Sequence, residues 1–237
     1  MSTIPPSSSL PVHTTKMLFL VSHGLQSPLS AIRWGCGRLQ RTGTLSPDQK
    51  ELLDSIQAEG RLLSRMLNWL LLLAKTDDGA HTADVQKIFV HDFLTACMEE
   101  KLPRPLTLEV TCPKNLTIQA DRTLLEATVH ALLFAVSVSS DVKTLPITVE
   151  SASSPDSCMI TFDATLSLTL MEEEQAGKPN RRIAGGMSGF LLAIASSFSQ
   201  AIGGSIDHET AEDTIRHLTL RLPIHPSPSV IIDAKKS

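Results

Sequence analysis

The stretch Leu18-Phe-Leu-Val-Ser-His23-Gly-Leu-Gln-Ser-Pro28-Leu-Ser-Ala-Ile-Arg33 decides how the first part of the chain folds. Apolar residues recur through it and just beyond it at heptad spacing, as expected of a helix that packs along one seam. If Leu18 is position a, His23 falls at position f, and its imidazole is predicted to face water. Pro28 lies five residues further on, where its ring removes a backbone hydrogen bond and bends the helix axis. The seam consists of Leu18, Leu25, Ile32 and Leu39, with a partner row at Val21, Leu29 and Cys36.

The composition excludes several classes of protein. The 237 residues carry a net charge of −4 and include seven Phe, two Trp and no Tyr. A negative charge and so few aromatic residues do not indicate nucleic-acid binding. No stretch approaches the roughly 18 apolar residues of a membrane span, and the first residues do not form a signal peptide. Four scattered cysteines without a Cys-x-x-Cys pair indicate reduced thiols and argue against a zinc site. We therefore expect a cytoplasmic protein with no membrane span and no nucleic-acid partner.

A second helix is predicted to start after Ser46, which is a good N-cap. Pro47 suits the first helical position, and Gln49 completes a capping box. The helix is predicted to end at Asp77-Asp78-Gly79. Its first apolar row, interrupted by Glu59, is Leu52, Ile56, Leu63, Met66, Leu70 and Leu73, and its second row is Leu53, Gly60, Leu67 and Ala74.

The apolar stripe of this second helix is wider than one facing helix can bury. An isolated hairpin would leave much of the stripe in water, so the sequence predicts a homodimer in which two antiparallel hairpins form a four-helix bundle. The alternative is that the hairpin packs on its own second domain. Residues 1–15 are expected to form a flexible tail, and the first helix to run from about Lys16 to Arg41, within a helical domain at 16–79.

Residues 80–225 contain sequence patterns of both helices and strands, which predict an α+β sandwich with helices on one face of a mixed sheet. Two strands are expected to flank a turn at Pro113, and the strands at 146–151 and 158–163 to pair as a hairpin. Residues 171–184 are polar and are expected to form a loop or lid, and 226–237 a second flexible tail. Helices are expected at 90–100, 121–139 and 189–201, and strands at 106–110, 116–120, 146–151, 158–163, 205–208 and 217–222.

The stretch Ser22-His-Gly-Leu-Gln-Ser-Pro-Leu-Ser-Ala-Ile32 resembles the phosphoacceptor box of two-component sensor histidine kinases, which typically reads Ser-His-Glu-Leu-Arg-Thr-Pro-Leu-Thr-Ala-Ile. The resemblance continues through the second helix, and the block that follows is similar in length and element order to the ATP-binding domain of that family. It covers about residues 17–225. It implies a dimerisation and phosphoacceptor hairpin at 16–79, followed by a GHKL-type (Bergerat-type) ATPase-like α/β sandwich at 80–225.

This resemblance implies a role for five residues. His23 would be the imidazole that takes a phosphoryl group, and a neutral ring nitrogen is a nucleophile near neutral pH. Ser27, one helical turn later, would orient a water molecule for dephosphorylation. The sequence is equally compatible with an ordinary serine on the helix surface that has no such role. Asp163 would bind an adenine amine, and Gly186 and Gly189 would belong to a lid near the phosphates. ATP and Mg²⁺ are the cofactors that the family implies, no residue is assigned as a metal ligand, and a response-regulator receiver domain is the implied partner.

The sequence departs from the family pattern at four places. Gly24 stands where the family usually has an acidic residue that accepts the imidazole proton. Phe134 stands where the family has an asparagine for the magnesium-bound triphosphate, and a phenyl ring cannot ligate a metal. The adenine-binding turn, typically Asp-x-Gly-x-Gly, reads Asp163-Ala-Thr-Leu-Ser167 and keeps neither glycine. Leu191 replaces the last glycine of the lid.

Three hypotheses of function follow, all within two-component signalling. In the favoured one, His23 relays phosphoryl groups to or from receiver aspartates while the degenerate ATP site is impaired. In the second, the protein is a divergent but active ATP-dependent histidine autokinase, a phosphotransferase. In the third, which Gly24 supports, it is a non-catalytic dimeric scaffold that binds a response regulator.

Overall fold

The computed structural model describes residues 12–97, 102, 106–140, 142–151, 156–167, 169–173, 181–211 and 214–225. Its contacts divide the chain into two compact units, with the division between His81 and Thr82. The first unit is a pair of long helices, and the second contains helices and strands in the arrangement of an α+β sandwich. The predicted fold class, a helical hairpin followed by an α/β sandwich, is confirmed.

The first unit consists of α1 (Val12–Thr42) and α2 (Pro47–Asp77). The predicted capping box is present: the Gln49 backbone N–H donates to Ser46 Oγ at 3.3 Å, and the Ser46 backbone N–H donates to Gln49 Oε1 at 2.9 Å. Beyond α2, Gly79 adopts a φ of 68°, a left-handed conformation that ends helices and strains other residues. Helix α1 begins at Val12 instead of near Lys16, because no helix breaker lies between these two residues.

The two helices pack through a subset of their apolar residues. Leu29 and Cys36 of α1 are 6% and 8% exposed. On α2 the buried face is the second of the two predicted rows, and a Cβ on Gly60 would lie 3.2 Å from Arg33 Cγ, so this glycine permits a close approach. Much of the remaining predicted apolar surface is exposed in the single chain: Leu25, Ile32 and Leu39 of the α1 seam, Val21 of its partner row, and Leu52, Ile56 and Leu63 of the first α2 row. Met66, Leu70 and Leu73 of that α2 row are partly buried. The side chain of Leu18 lies outside the described part.

The second unit is built on a five-stranded sheet with the order β2-β4-β5-β9-β8. Strands β2 and β4 are parallel and the other neighbours are antiparallel, including the predicted β4–β5 hairpin. Two further antiparallel pairs, β1–β3 and β6–β7, lie outside this sheet. The strands are β1 (Val85–Phe89), β2 (Thr107–Thr111), β3 (Thr117–Asp121), β4 (Thr144–Ser151), β5 (Ser157–Ser167), β6 (Thr169–Glu173), β7 (Arg181–Gly185), β8 (Ser205–Ala211) and β9 (Thr214–Pro223).

Three helices, α3 (Val90–Cys97), α4 (Arg122–Ser139) and α5 (Gly186–Ala201), belong to this unit, and α4 packs on α5 and on β5. Alternate residues of β5, such as Ile160 and Phe162, are 0% exposed, so one face of the sheet is buried. Among the described residues, α4 is the one helix long and apolar enough to cross a membrane, yet 72% of that window is buried inside the protein. That burial is what the core helix of a sandwich requires.

The structure corrects one expectation about the strands and adds one strand. The strands predicted on either side of Pro113 are both present, but they belong to different sheets, because β2 joins the large sheet and β3 pairs with β1. Strand β1 was not predicted. The expected loop at 171–184 contains part of the β6–β7 hairpin, in which Glu172 and Glu173 occupy positions opposite Arg182 and Arg181. Residues 174–180 lie outside the described part.

We expect Leu132→Ala in α4 to lower the free energy of unfolding by about 2–5 kcal/mol, because deletion of a fully buried leucine leaves a cavity. Leu132 is 0% exposed. Urea denaturation followed by circular dichroism measures the change. Thr123→Ala, at an exposed position of the same helix, is the control and should change stability by less than about 0.5 kcal/mol. Equal losses in both variants would contradict the assignment of Leu132 to the core.

Candidate functional site

The candidate phosphoacceptor His23 lies within α1, and the backbone is helical on both sides of it. Its side chain lies outside the described part of the structure, so its exposure at position f stays a prediction. Ser22, the preceding residue, is 1% exposed and shares the α2-facing side of α1 with Leu29 and Cys36 at seven-residue spacing. The Cα of His23 therefore lies about 100° around the helix from that side. Ser27, one turn later, is exposed.

The helix continues through Pro28. Because proline has no N–H, the carbonyl of Gly24, four residues earlier, loses its usual helical donor. Among the residues that the structure describes, and outside the helix's own backbone and chain neighbours, no atom lies within 4 Å of the position that a Cβ on Gly24 would take. The place beside His23 where the family has an acid is thus open space.

A series of hydrogen bonds between side chains holds α1 in register on α2. The α1 members of this series recur every seven residues, so each bond lies two turns from the next on the same side of the helix. The bonds join Gln26 to Asn68 (2.9 Å), Arg33 to Ser64 (3.2 Å) and Gln40 to Asp54 (2.7 Å). These bonds and the buried leucines position the backbone that carries His23.

Asp163 lies within β5, and no turn follows it. Beyond a bulge, β5 continues to Ser167, and its last residues pair with Ile215 and Thr214 of β9. The backbone at the position where the resemblance implies an adenine-binding turn is therefore part of the sheet, and Leu166 there is 0% exposed. The two glycines that would allow close approach of a ligand are absent from this segment.

The side chain of Asp163 lies on the sheet face opposite the helices, because its neighbours Phe162 and Ala164 are 0% and 2% exposed. Its Oδ1 is 3.1 Å from Nδ1 of His217, which occupies the paired position on β9. With the ring N–H as donor, the carboxylate has a partner within the sheet. Sequence analysis missed His217 because strand register alone brings these two distant residues together.

Helix α4 holds Phe134 at the position expected of the magnesium-binding asparagine. The ring is 2% exposed, and the neighbouring residues from Ala131 to Val136 are 0–2% exposed. Phe134 therefore belongs to the apolar core and offers no oxygen ligand. Within the described ranges, no group of three or more His, Cys, Asp or Glu side chains is arranged to hold a metal ion.

The two lid glycines lie together at the start of α5. Gly186 is the first residue of that helix, and Gly189, which is buried, lies in its first turn. Backbone N–H groups at a helix start can attract a phosphate, but Leu191, at 0% exposure, replaces the last glycine of the pattern. In the part of the chain that the structure describes, no hydrogen bond or ion pair links Asp163 to this turn.

Comparison with known proteins adds one domain match and several similar folds. Residues 15–79 match the family model of the His Kinase A (phospho-acceptor) domain. No curated protein sequence matches the chain. The histidine kinase AdeS of Acinetobacter baumannii is similar in structure with a TM-score of 0.51 and 18% identity, covering 85% of this chain and 98% of AdeS. Full-length ShkA in complex with AMPPNP has a TM-score of 0.56 and 15% identity, covering 90% of this chain and 46% of ShkA.

At these identities the structural likenesses establish the fold alone. The domain match covers the hairpin that carries His23, and the folds of AdeS and ShkA extend the likeness into the sandwich that follows it. Residues 15–79 therefore carry a His Kinase A (phospho-acceptor) hairpin, and the chain shares its fold with the histidine kinases AdeS and ShkA.

Proposed function

We propose that the chain is a histidine kinase-like phosphotransfer protein, in which His23 takes a phosphoryl group and exchanges it with an aspartate of a response-regulator receiver domain. The observation that carries this proposal is the His Kinase A match over residues 15–79, which contains His23 within a continuous helix. Ser27, exposed one turn further on, is proposed to orient a water molecule that removes the phosphoryl group. Since receiver domains are intracellular partners, we also propose a cytoplasmic location, in keeping with the free cysteines.

The proposed step is a direct phosphoryl transfer. A neutral ring nitrogen of His23 attacks the phosphorus of an aspartyl phosphate, the bond between phosphorus and the carboxyl oxygen breaks, and the carboxylate leaves. The other ring nitrogen releases its proton to solvent, because Gly24 supplies no base at the adjacent position. The reverse sequence returns the phosphoryl group to an aspartate. Neither direction requires ATP.

Several observations support an impaired ATP site. Phe134 is buried in the core at the position of the magnesium-binding asparagine. Strand β5 runs on where the glycine-rich adenine turn would lie, and Asp163 on its outer face pairs with His217. These residues do not fit a magnesium-bound triphosphate. AMPPNP is bound by ShkA, and that property is not transferred to this chain.

We propose that two copies of the hairpin associate through their exposed apolar stripe. Ile32 and Leu39 of α1 lie seven residues apart and are 54% and 53% exposed. Ile56 and Leu63 of α2 also lie seven apart and are 39% and 45% exposed. Large apolar side chains in a contiguous row rarely remain in water. A second hairpin of the same kind covers such a stripe in a four-helix bundle, in which each helix contacts two neighbours.

A second candidate function is a dimeric scaffold that binds a response regulator without carrying phosphate. Gly24 favours it, because the residue expected to accept the imidazole proton is missing and the space beside it is open. The two candidates share the partner and the dimer and differ in whether His23 becomes phosphorylated.

Incubation with a ³²P-labelled phosphorylated receiver domain should label the protein, and His23→Ala should abolish the labelling while leaving the helical circular dichroism unchanged. A side chain at the predicted exposed position f buries little, so its removal should cost little stability. If the parent chain stays unlabelled while it and His23→Ala bind the receiver equally, the scaffold replaces the relay. Labelling by ATP and magnesium alone would contradict the impaired ATP site.

Ile32→Glu combined with Leu63→Glu should convert the dimer into a monomer, because each copy would place two carboxylates in the apolar interface. Sedimentation velocity measures the change in mass. Ser30→Glu, two residues before Ile32 and about 160° away around α1, adds charge outside the stripe and should leave the dimer intact. A parent chain that is monomeric at micromolar concentration would contradict the proposal.

Restoring the missing acid should accelerate the chemistry at His23. We expect Gly24→Glu to raise the rate of transfer from a phosphorylated receiver to His23 by about 10²-fold, the lower end of general-base effects. The open space at Gly24 accommodates the side chain. Gly24→Gln has nearly the same size but no basic carboxylate, so it is the matched control. Equal rates in both variants would show that proton removal does not limit the transfer.

A further inference from the structure

One hydrogen bond between the two helices lies beside the candidate phosphoacceptor. Gln26 of α1 donates from Nε2 to Oδ1 of Asn68 on α2 at 2.9 Å, and we term this bond the amide latch. Gln26 follows His23 by three residues, so their Cα atoms are about 60° apart around α1 and about 4.5 Å apart along its axis. The typical phosphoacceptor box has arginine at the position of Gln26, so the family pattern does not supply this amide.

Among the described side chains of α1 before Pro28, burial is slight. Ser22 is the one buried side chain of this stretch, and Gln26 is half-buried. The large apolar side chains of Val21 and Leu25 are 47% and 46% exposed. The amide latch is the one hydrogen bond to α2 that the structure describes for this stretch. Because the side chain of Ser22 is small, the stretch that carries His23 depends on the amide latch for its position on α2.

Beyond Pro28, α1 is held on α2 by different contacts. Leu29 and Cys36 are buried there, and Arg33 donates to Ser64 Oγ at 3.2 Å. This part of α1 therefore keeps its place on α2 without the amide latch.

The helix is weakened between these two parts. Pro28 has no N–H, so the carbonyl of Gly24 lacks its helical donor. The hydroxyl of Ser30 donates to the Gln26 carbonyl at 2.8 Å, a local side-chain bond of a kind that often bends helices. Gly24 is itself a poor helix former. The backbone of α1 alone therefore does not fix the direction of the stretch that carries His23.

The α2 end of the amide latch is held firmly. Asn68 is exposed, but its neighbours Leu67 and Trp69 are 4% and 3% exposed, so packing fixes the backbone on both sides of it. A hydrogen-bond acceptor on a fixed backbone determines where its donor, Gln26, lies. The amide latch thus connects a rigid part of α2 to the weakly held part of α1.

From these observations we infer that Asn68 is a positioning residue for phosphoryl transfer at His23, acting through Gln26. The amide latch sets the rotation of the α1 stretch before Pro28, and hence the direction from which the imidazole meets an aspartyl phosphate. Phosphoryl transfer needs the attacking and leaving atoms in line, and a displacement of about 1 Å can cost about 10²-fold in rate. The inference deepens the proposed function and rests on it.

Removal of the acceptor tests the inference. A side-chain hydrogen bond shifts an equilibrium by up to about tenfold, so Asn68→Ala should lower the rate of transfer from a saturating phosphorylated receiver by about three- to tenfold. The receiver concentration that gives half the maximal rate should change by less than about twofold, because the loss is in orientation and not in binding. A change confined to that concentration would overturn the inference.

Ser64→Ala is the matched control, because it removes the hydrogen bond of Arg33 to α2 beyond Pro28. It should leave the rate of transfer within about twofold of the parent rate. Circular dichroism checks that both variants remain helical. Equal losses of rate in Asn68→Ala and Ser64→Ala would overturn the inference.

The two amides also allow a double-mutant cycle. Gln26→Ala should slow transfer about as much as Asn68→Ala, and the double variant no more than either, because all three lack the same bond. Exchange of the two residues, Gln26→Asn with Asn68→Gln, keeps the donor, the acceptor and the combined side-chain length. The exchanged variant should therefore transfer faster than either alanine variant. Additive losses, or an exchanged variant as slow as the alanine variants, would contradict the inference.

A small phosphoryl donor separates positioning from a loss of structure. Phosphoramidate phosphorylates histidine without a protein partner and approaches it from any direction. Asn68→Ala should therefore keep its labelling of His23 by phosphoramidate within about twofold while it loses transfer from the receiver. Parallel losses with both donors would show that Asn68 does not act by orienting His23 towards the receiver.

Amide hydrogen exchange, followed by mass spectrometry of peptides, tests the amide latch independently of phosphoryl chemistry. Asn68→Ala should speed exchange in residues 18–27 by at least about threefold and leave exchange in residues 29–42 unchanged. Unchanged exchange in residues 18–27 would overturn the inference. If exchange responds as expected but neither donor labels the parent chain, the relay is wrong and the amide latch stands. If the receiver labels Asn68→Ala as fast as the parent chain, the inference is wrong and the relay stands.

Discussion

The packing of α1 on α2 is the contact on which the functional surfaces of the hairpin depend. It uses Leu29 and Cys36 on one helix and the row that contains Gly60 on the other. Each helix buries only part of its apolar circumference in this contact, so a continuous stripe remains exposed on one side. On the other side, the close approach at Gly60 brings Arg33 and Arg61 to one cleft. One helix pair thus presents an apolar and a cationic surface in opposite directions.

The sandwich has the fold that the resemblance implies, while the side chains at the expected nucleotide site differ from the family pattern. In helix α4, where the resemblance implies a magnesium-binding asparagine, the residues from Ala131 to Val136 are nearly inaccessible to solvent. A phenyl ring at Phe134 adds apolar contact to this core and offers no oxygen ligand. Asp163 remains in the sequence, yet its carboxylate pairs with His217 on the outer face of the sheet. A shared fold therefore does not carry a shared activity, which depends on the side chains at the site.

Local signals were predictable from the sequence, and long-range pairings were not. The capping box at Ser46 and the end of α2 at Asp77 depend on residues within one turn of each other, and both are present. The β4–β5 hairpin was predictable because a short connection joins its strands. The parallel β2–β4 pair and the β1–β3 pair join segments separated by other elements, and alternation identifies a strand without naming its partner.

The sequence by itself determined the helices, the placement of His23 on α1 and the departures from the family's nucleotide-binding pattern, because these depend on periodicity and identity along one segment. Only the tertiary structure decided which of the two apolar rows of α2 packs inside the hairpin and which remains exposed. It also decided that Asp163 meets His217 and that Arg33, Trp34 and Arg61 share a cleft. The physical reason is that such contacts depend on the register between separate segments, which packing selects and a single segment does not encode.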